Sequence, residues 1–242
     1  MGDQHDAGGR PRSFRSYVAP NIDINYGVGS RIQLKYEVPL AIQEVRGPSG
    51  YVAAGLGNSL VGIKWRFYAH HPKQKESEEM DKKETTFGVS VYPQLLLNNP
   101  TNSTRRDVVE PGPQFLLPLE ANAKLGPLRI SAELGYWFTN AEVPNSWIRG
   151  VIVGHEFQSK TELFVEFFDQ ASTRETADEP KTRETTFGIG FRTPLAGKGS
   201  VWLMAMAGRS LVTATPANGQ PSWIASVGLQ ILTGKKRRSS SD

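Results

Sequence analysis

The sequence predicts an all-β chain, a single antiparallel meander folded as a transmembrane β-barrel of about 12 strands. Three observations carry this expectation. Polar and apolar residues alternate with period two along most of the chain. The alternating stretches run to about ten residues, longer than the usual strands of soluble sheets and suited to tilted strands that cross a bilayer. The connections between them alternate between short and long, the layout of an outer-membrane barrel.

In chain order, Asn21–Tyr26 alternates without a fault. Arg31–Val38 puts Ile32, Leu34, Tyr36 and Val38 on one face and Gln33, Lys35 and Glu37 on the other. Val61–Phe67 repeats the scheme, and so do Phe87–Val91, Leu128–Leu134, Phe187–Arg192 and Trp223–Ile231. Less regular β-rich segments lie at Gln114–Ala121, Trp147–Phe157, Glu162–Asp169 and Val201–Gly208. These give eleven clear strands, at residues 19–27, 31–40, 57–68, 85–97, 112–121, 127–138, 147–157, 161–170, 185–193, 200–210 and 222–232. No segment carries a helical stripe.

Even strand numbers return both chain ends to one side of the membrane, so a further strand is expected before residue 19. Ser13–Val18 reads as a short, weak remnant of it, in a chain shortened from a longer precursor. Segment 41–56 is expected to be a long loop, and the charged run His70–Glu84 a solvated insertion. Residues 1–12 and the basic 233–242 read as disordered tails around a barrel domain spanning 13–232. Glu84-Thr-Thr-Phe-Gly88 recurs at Glu184–Gly188, but the flanking sequence shows no sustained repeat.

Composition excludes several classes. With 38% hydrophobic residues the chain is too apolar for disorder, yet no apolar run reaches the length of a spanning helix. The absence of cysteine removes disulfide scaffolds, thiolate metal sites and cysteine nucleophiles. The net charge of +4 resides largely in the two ends, an arrangement that does not favour nucleic acid as a partner. Met1–Asp6 has neither a secretion signal nor a myristoylation motif.

Ala19–Pro39, and Gly57–Tyr68 with its Val-Gly-Ile-Lys-Trp-Arg-Phe core, resemble the MetA-pathway of phenol degradation family, as does the hairpin Phe157–Glu166. The resemblance implies a Gram-negative outer-membrane β-barrel that moves small, often hydrophobic compounds. It supplies no catalytic residues and departs in lacking a signal peptide and a terminal aromatic strand.

The informative constellation is the polar face. Lys35, Glu37, Lys64, Arg66, Arg129, Glu133, Glu166 and Arg192 all lie opposite the apolar stripes of their strands, as candidate lumen-lining residues. They read either as a charged lumen that selects a solute or as cross-strand pairs that fill the interior. Glu37 and Glu133 are each expected to have a basic partner, because an unpaired carboxylate in a narrow lumen is costly. Tyr26, Tyr36, Tyr51, Trp65, Tyr68, Tyr136, Trp137 and Trp147 suit an interfacial girdle.

No catalytic residues, cofactor or metal are expected. His155 and Glu156 are strand neighbours and point to opposite faces, and His70-His71 belong to the charged insertion. The expected function is a narrow, porin-like channel or passive transporter in the outer membrane, ringed by lipid and open to a small-molecule solute. The alternatives are a soluble β-barrel that binds a hydrophobic ligand, with the apolar stripe turned inward, and an outer-membrane lipid-modifying enzyme.

Overall fold

The computed structural model describes residues 2–5, 11–46, 50–70, 85–101, 112–139, 144–173, 183–195, 201–212 and 223–232. They contain no helix. Fourteen strands make one antiparallel sheet: β1 (Gly2–His5), β2 (Pro11–Val28), β3 (Ile32–Arg46), β4 (Tyr51–Leu56), β5 (Ser59–His70), β6 (Thr85–Val91), β7 (Gln94–Leu97), β8 (Gln114–Leu125), β9 (Leu128–Phe138), β10 (Ser146–Glu156), β11 (Glu162–Ser172), β12 (Arg183–Pro194), β13 (Val201–Val212) and β14 (Trp223–Ile231).

The order is a meander. β4 and β5 both pair with β3 and form one path broken at Gly57-Asn58; β6 and β7 both pair with β5 and β8 and form another, broken at Tyr92-Pro93. Each of the eleven expected strands therefore has its counterpart, with 85–97 divided between β6 and β7 and with β1 and β4 added. Gly29 and Gly126 take positive φ, 64° and 63°, in the tight turns after β2 and β8, a conformation that suits a residue without Cβ.

Four local expectations need correction. Ser13–Val18 is the first part of β2 and not a separate strand. It pairs with Ile42–Arg46 and Ala41 of β3, and the register shifts between Val18 and Asn21. Pro20, which has no N–H for the ladder, sits at that irregularity. The expected loop 41–56 is a hairpin arm, because β3 continues past Pro39 to Arg46 and pairs with β4. The expected tail 1–12 contains β1, whose Gly2–His5 pairs with Pro11–Phe14; ladder pairing uses backbone groups and needs no apolar alternation. The break at Tyr92-Pro93 divides the strand expected at 85–97. Most of the charged insertion and residues 233–242 lie outside the described residues.

Cross-strand register fixes which residues share a face. Trp65 stands opposite Val91, Val91 opposite Leu119, and Leu119 opposite Leu134. Toward the C-terminus, Phe167, Phe187 and Arg209 form one row, and Ile189, Ala207 and Ala225 another. The apolar face is the accessible one: Ile63 is 53% exposed, Leu134 48% and Ile189 59%. Buried hydrophobic side chains among the described residues are few, namely Ala41, Ala53, Tyr92, Leu116 and Ile148. The described residues form no conventional apolar core.

Candidate functional site

The face opposite this apolar surface carries the charges. Asp23 pairs in register with Glu37, Gln33 with Lys64, and Glu120 with Glu133. On β2 and β3 the groups form a chain. Lys35 Nζ lies 2.6 Å from Glu37 Oε2 and 3.3 Å from Asp23 Oδ2, and Asn21 Nδ2 donates to Glu37 Oε1 at 2.7 Å. Gln33 donates to Asn25 at 2.6 Å, and Asn25 to Asp23 at 2.8 Å. The alternating polar residues of two adjacent strands are thereby used up on one another.

Farther along the sheet, Lys64 on β5 pairs with Glu120 on β8, spanning the intervening strand. Tyr92 occupies the break between β6 and β7. Its ring folds over Gly62, where a Cβ would come within 2.9 Å of it, and Lys64 Nζ stands 5.5 Å from the ring centroid. At the short-turn ends, Arg129 Nε donates to Glu156 Oε2 at 2.8 Å, and Lys124 Nζ approaches the same oxygen at 3.8 Å. Glu162 receives Arg129 at 3.8 Å and Arg192 at 3.7 Å, while the Arg192 guanidinium stacks 4.7 Å above Trp202.

All eight candidate residues fall on this face. Six of them are engaged: Lys35 with Glu37, Lys64 with Glu120, Arg129 with Glu156, Arg192 with Glu162, and Arg66 with the Ser30 carbonyl. Glu133 and Glu166 have neither an ion pair nor a hydrogen bond among the described residues. The expected basic partner of Glu133 is therefore absent. Lys64 is committed to Glu120 and Arg129 to Glu156, and Glu133 feels Lys64 and Lys35 only at longer range.

Asp23, Glu120, Lys124, Glu162 and Tyr92 also belong to the cluster and are not among the sequence candidates, and Glu156, considered there only as the strand neighbour of His155, joins them. The faultless alternation of Asn21–Tyr26 contains the signal for Asp23. Glu120 follows the run Leu116-Leu-Pro-Leu119, which is apolar on both faces and hides the period. Glu156 and Glu162 flank the short turn 157–161, where alternation stops.

A cavity of about 500 Å³ opens on this side of the sheet at the short-turn ends, bordered by residues of β3, β5, β6, β8 and β9 and by the Gly29–Arg31 turn. Ser90, Asn122 and Ser131 supply neutral polar groups to it, and Ser131 Oγ donates to Asn122 Oδ1 at 2.7 Å.

On the opposite face the aromatic side chains form clusters near the strand ends. Trp65 and Phe67 lie 5.9 Å apart and Tyr68 and Phe87 6.0 Å apart toward one end. Tyr136 contacts Phe138 at 4.7 Å and Trp147 at 4.9 Å toward the other. Trp137 departs from the expected girdle, since its register with Ser146 and Leu116 puts it on the charged face. Among the described residues, Asp169 is the one deeply buried acid of the apolar face, held by Arg183 at 2.7 Å, Thr185 at 2.7 Å and Arg149 at 3.7 Å.

No protein-family model matches the sequence, and no curated protein matches it.

Proposed function

We propose that this chain is an outer-membrane β-barrel, a narrow channel or passive transporter for small molecules. One observation carries the reading: burial is inverted. Large apolar side chains are exposed along the whole sheet, whereas Lys35 and Glu37 keep only 18% and 24% of their side-chain surface exposed and Glu120 13%. In water such a surface is an extensive aggregation liability; in lipid it is the required exterior.

Dimensions agree. Strands of 11 or 12 residues, such as β8–β13, reach about 26 Å across a bilayer at about 3.3 Å per residue and about 45° tilt. The two aromatic groupings sit where girdles at the membrane interfaces belong. Charged residues of the apolar face such as Arg149, Asp169, Arg183 and Arg209 lie toward the long-loop ends and so toward the rim.

Closure into a single meander barrel is part of the proposal. The edges of β2 beyond Phe14 and of β14 have no strand partner among the described residues, and unpaired backbone groups in hydrocarbon cost several kcal/mol each. Rolling the sheet brings β2 and β14 to one seam and turns the charged face inward as a lumen. The resemblance of Ala19–Pro39 and Gly57–Tyr68 to the MetA-pathway family favours a small, hydrophobic or aromatic solute.

Refolded protein in a planar bilayer tests this directly, with solute uptake into liposomes as the parallel measurement. Discrete conductance steps are expected. A preparation that inserts into lipid yet gives neither conductance nor uptake would sink the channel reading.

A further inference from the structure

Every titratable side chain bordering the cavity at the short-turn ends is basic. Arg31, Lys64, Arg66, Lys124 and Arg129 line it, and among the described residues its wall holds no carboxylate. Lys64 is matched by Glu120, and Lys124 and Arg129 share Glu156, just outside the wall. Arg129 also approaches Glu162 at 3.8 Å, so three of the five cations have carboxylate partners, and Arg31 and Arg66 have none among the described residues.

Arg66 is the most telling of the five. It makes no ion pair among the described residues. Its guanidinium donates from Nη2 to the Ser30 carbonyl, and its Nε is buried with no hydrogen-bond partner. A buried N–H of a charged group left unmatched is costly, and an acceptor supplied from outside would remove that cost. Arg31 adjoins it, because the Arg66 backbone N–H donates to the Arg31 carbonyl at 2.8 Å, and Arg31 likewise has no ion pair among the described residues. The planar fork of a guanidinium matches the paired oxygens of a carboxylate or phosphate.

We propose that this cavity binds the anionic oxyacid group of a small ligand, a carboxylate or a phosphate, with Arg66 and Arg31 as its principal holders. Its volume of about 500 Å³ fits one small organic molecule. The Ser131 and Ser90 hydroxyls and the Asn122 amide are placed to complete the polar shell. The site goes beyond the channel reading and does not depend on conduction, since a barrel that carries no current would still bind the anion.

The test is isothermal titration calorimetry on the full chain refolded in zwitterionic micelles. Benzoate and inorganic phosphate serve as soluble probes, and micelles doped with phosphatidic acid present the same chemistry as a lipid headgroup. Saturable binding of at least one probe is expected, weakened about tenfold or more by Arg66→Gln and by Arg31→Gln. Arg66→Lys, which keeps the charge and loses the fork, should fall between. Lys160→Gln removes one charge from an exposed turn at the same end and should leave the affinity unchanged. Folding of each variant is checked by heat-modifiable migration. A response to benzoate or phosphate assigns the site to a soluble solute, and a response confined to phosphatidic acid assigns it to a headgroup. No saturable binding of any probe, or equal losses in Lys160→Gln and Arg66→Gln, would overturn the proposal.

Discussion

Lys64 reaches Glu120 across an intervening strand: the lysine is on β5, the glutamate on β8, and Ser90 of β6, opposite Glu120, faces Arg66 and not Lys64 on its other side. The pair is a diagonal strut over the charged side of the sheet. Both side chains are mostly buried, 27% and 13% exposed, so the pair is poorly screened. Removing one partner strands the other charge. Lys64→Met and Glu120→Gln should each lower stability by about 1–2 kcal/mol, less than a fully buried pair because water still reaches the lysine. The double variant should lose less than the sum, and urea unfolding in micelles gives the coupling. Additive losses would mean that the strut contributes nothing.

Close packing between β12 and β13 supplies a second expectation. A Cβ on Gly208 would stand 2.7 Å from the Phe187 carbonyl oxygen and 3.1 Å from Gly188 Cα, both backbone atoms that cannot turn aside. On β14, a Cβ on Gly228 would meet nothing within 4 Å. Gly208→Ala should therefore destabilise by about 1–3 kcal/mol, as an overpacked position does. Gly228→Ala should stay within about 0.5 kcal/mol of the parent, or gain slightly from a less flexible unfolded chain. Equal effects in thermal melts would contradict the β12–β13 register.

The strand frame was legible because period two is a property of adjacent residues. Arg31–Val38 and Val61–Phe67 disclose both faces with no knowledge of neighbours. What alternation cannot disclose is reach. Lys64 and Glu120 are 56 positions apart in sequence, and their meeting depends on the stagger of three strands. Tyr92 was hidden for a different reason. Pro93 interrupts the ladder beside it, and the ring folds over Gly62 on the charged face. The expected strand 31–40 stops short because alternation fades there, whereas β3 continues to Arg46 opposite the irregularity in β2.

Which face meets lipid is decided by two neighbouring positions. Val151, midway along β10, is 43% exposed on the apolar face, and Ser131 of β9 lies on the charged face, opposite Ile152. If the exterior is hydrocarbon, Val151→Lys should lower stability in lipid by about 2–4 kcal/mol. Ser131→Lys should cost little by comparison, because water and Asn122 remain available to it. The measurement is equilibrium unfolding from phospholipid vesicles. A soluble barrel would tolerate lysine at 151 and reject it at 131.

Glu37 and Glu133 should respond in opposite ways when neutralised. Glu37 is bound on both oxygens, by Lys35 at 2.6 Å and Asn21 at 2.7 Å. Glu37→Gln leaves Lys35 with Asp23 alone, and a loss of about 1–2 kcal/mol should follow. Glu133 is half-buried and lacks such partners, with Glu120 and Glu166 as like-charged neighbours in electrostatic range. Its carboxylate incurs a desolvation cost that no contact offsets, so Glu133→Gln should leave stability unchanged or raise it. Both substitutions remove a negative charge from the same face. In a bilayer under a salt gradient, each should move the reversal potential toward greater anion permeability. Separating the two readouts matters: stability distinguishes a paired from an unpaired carboxylate, and the reversal potential reports whether ions pass that face at all. Unchanged selectivity in both variants, with conductance intact, would remove this charged face from the permeation path.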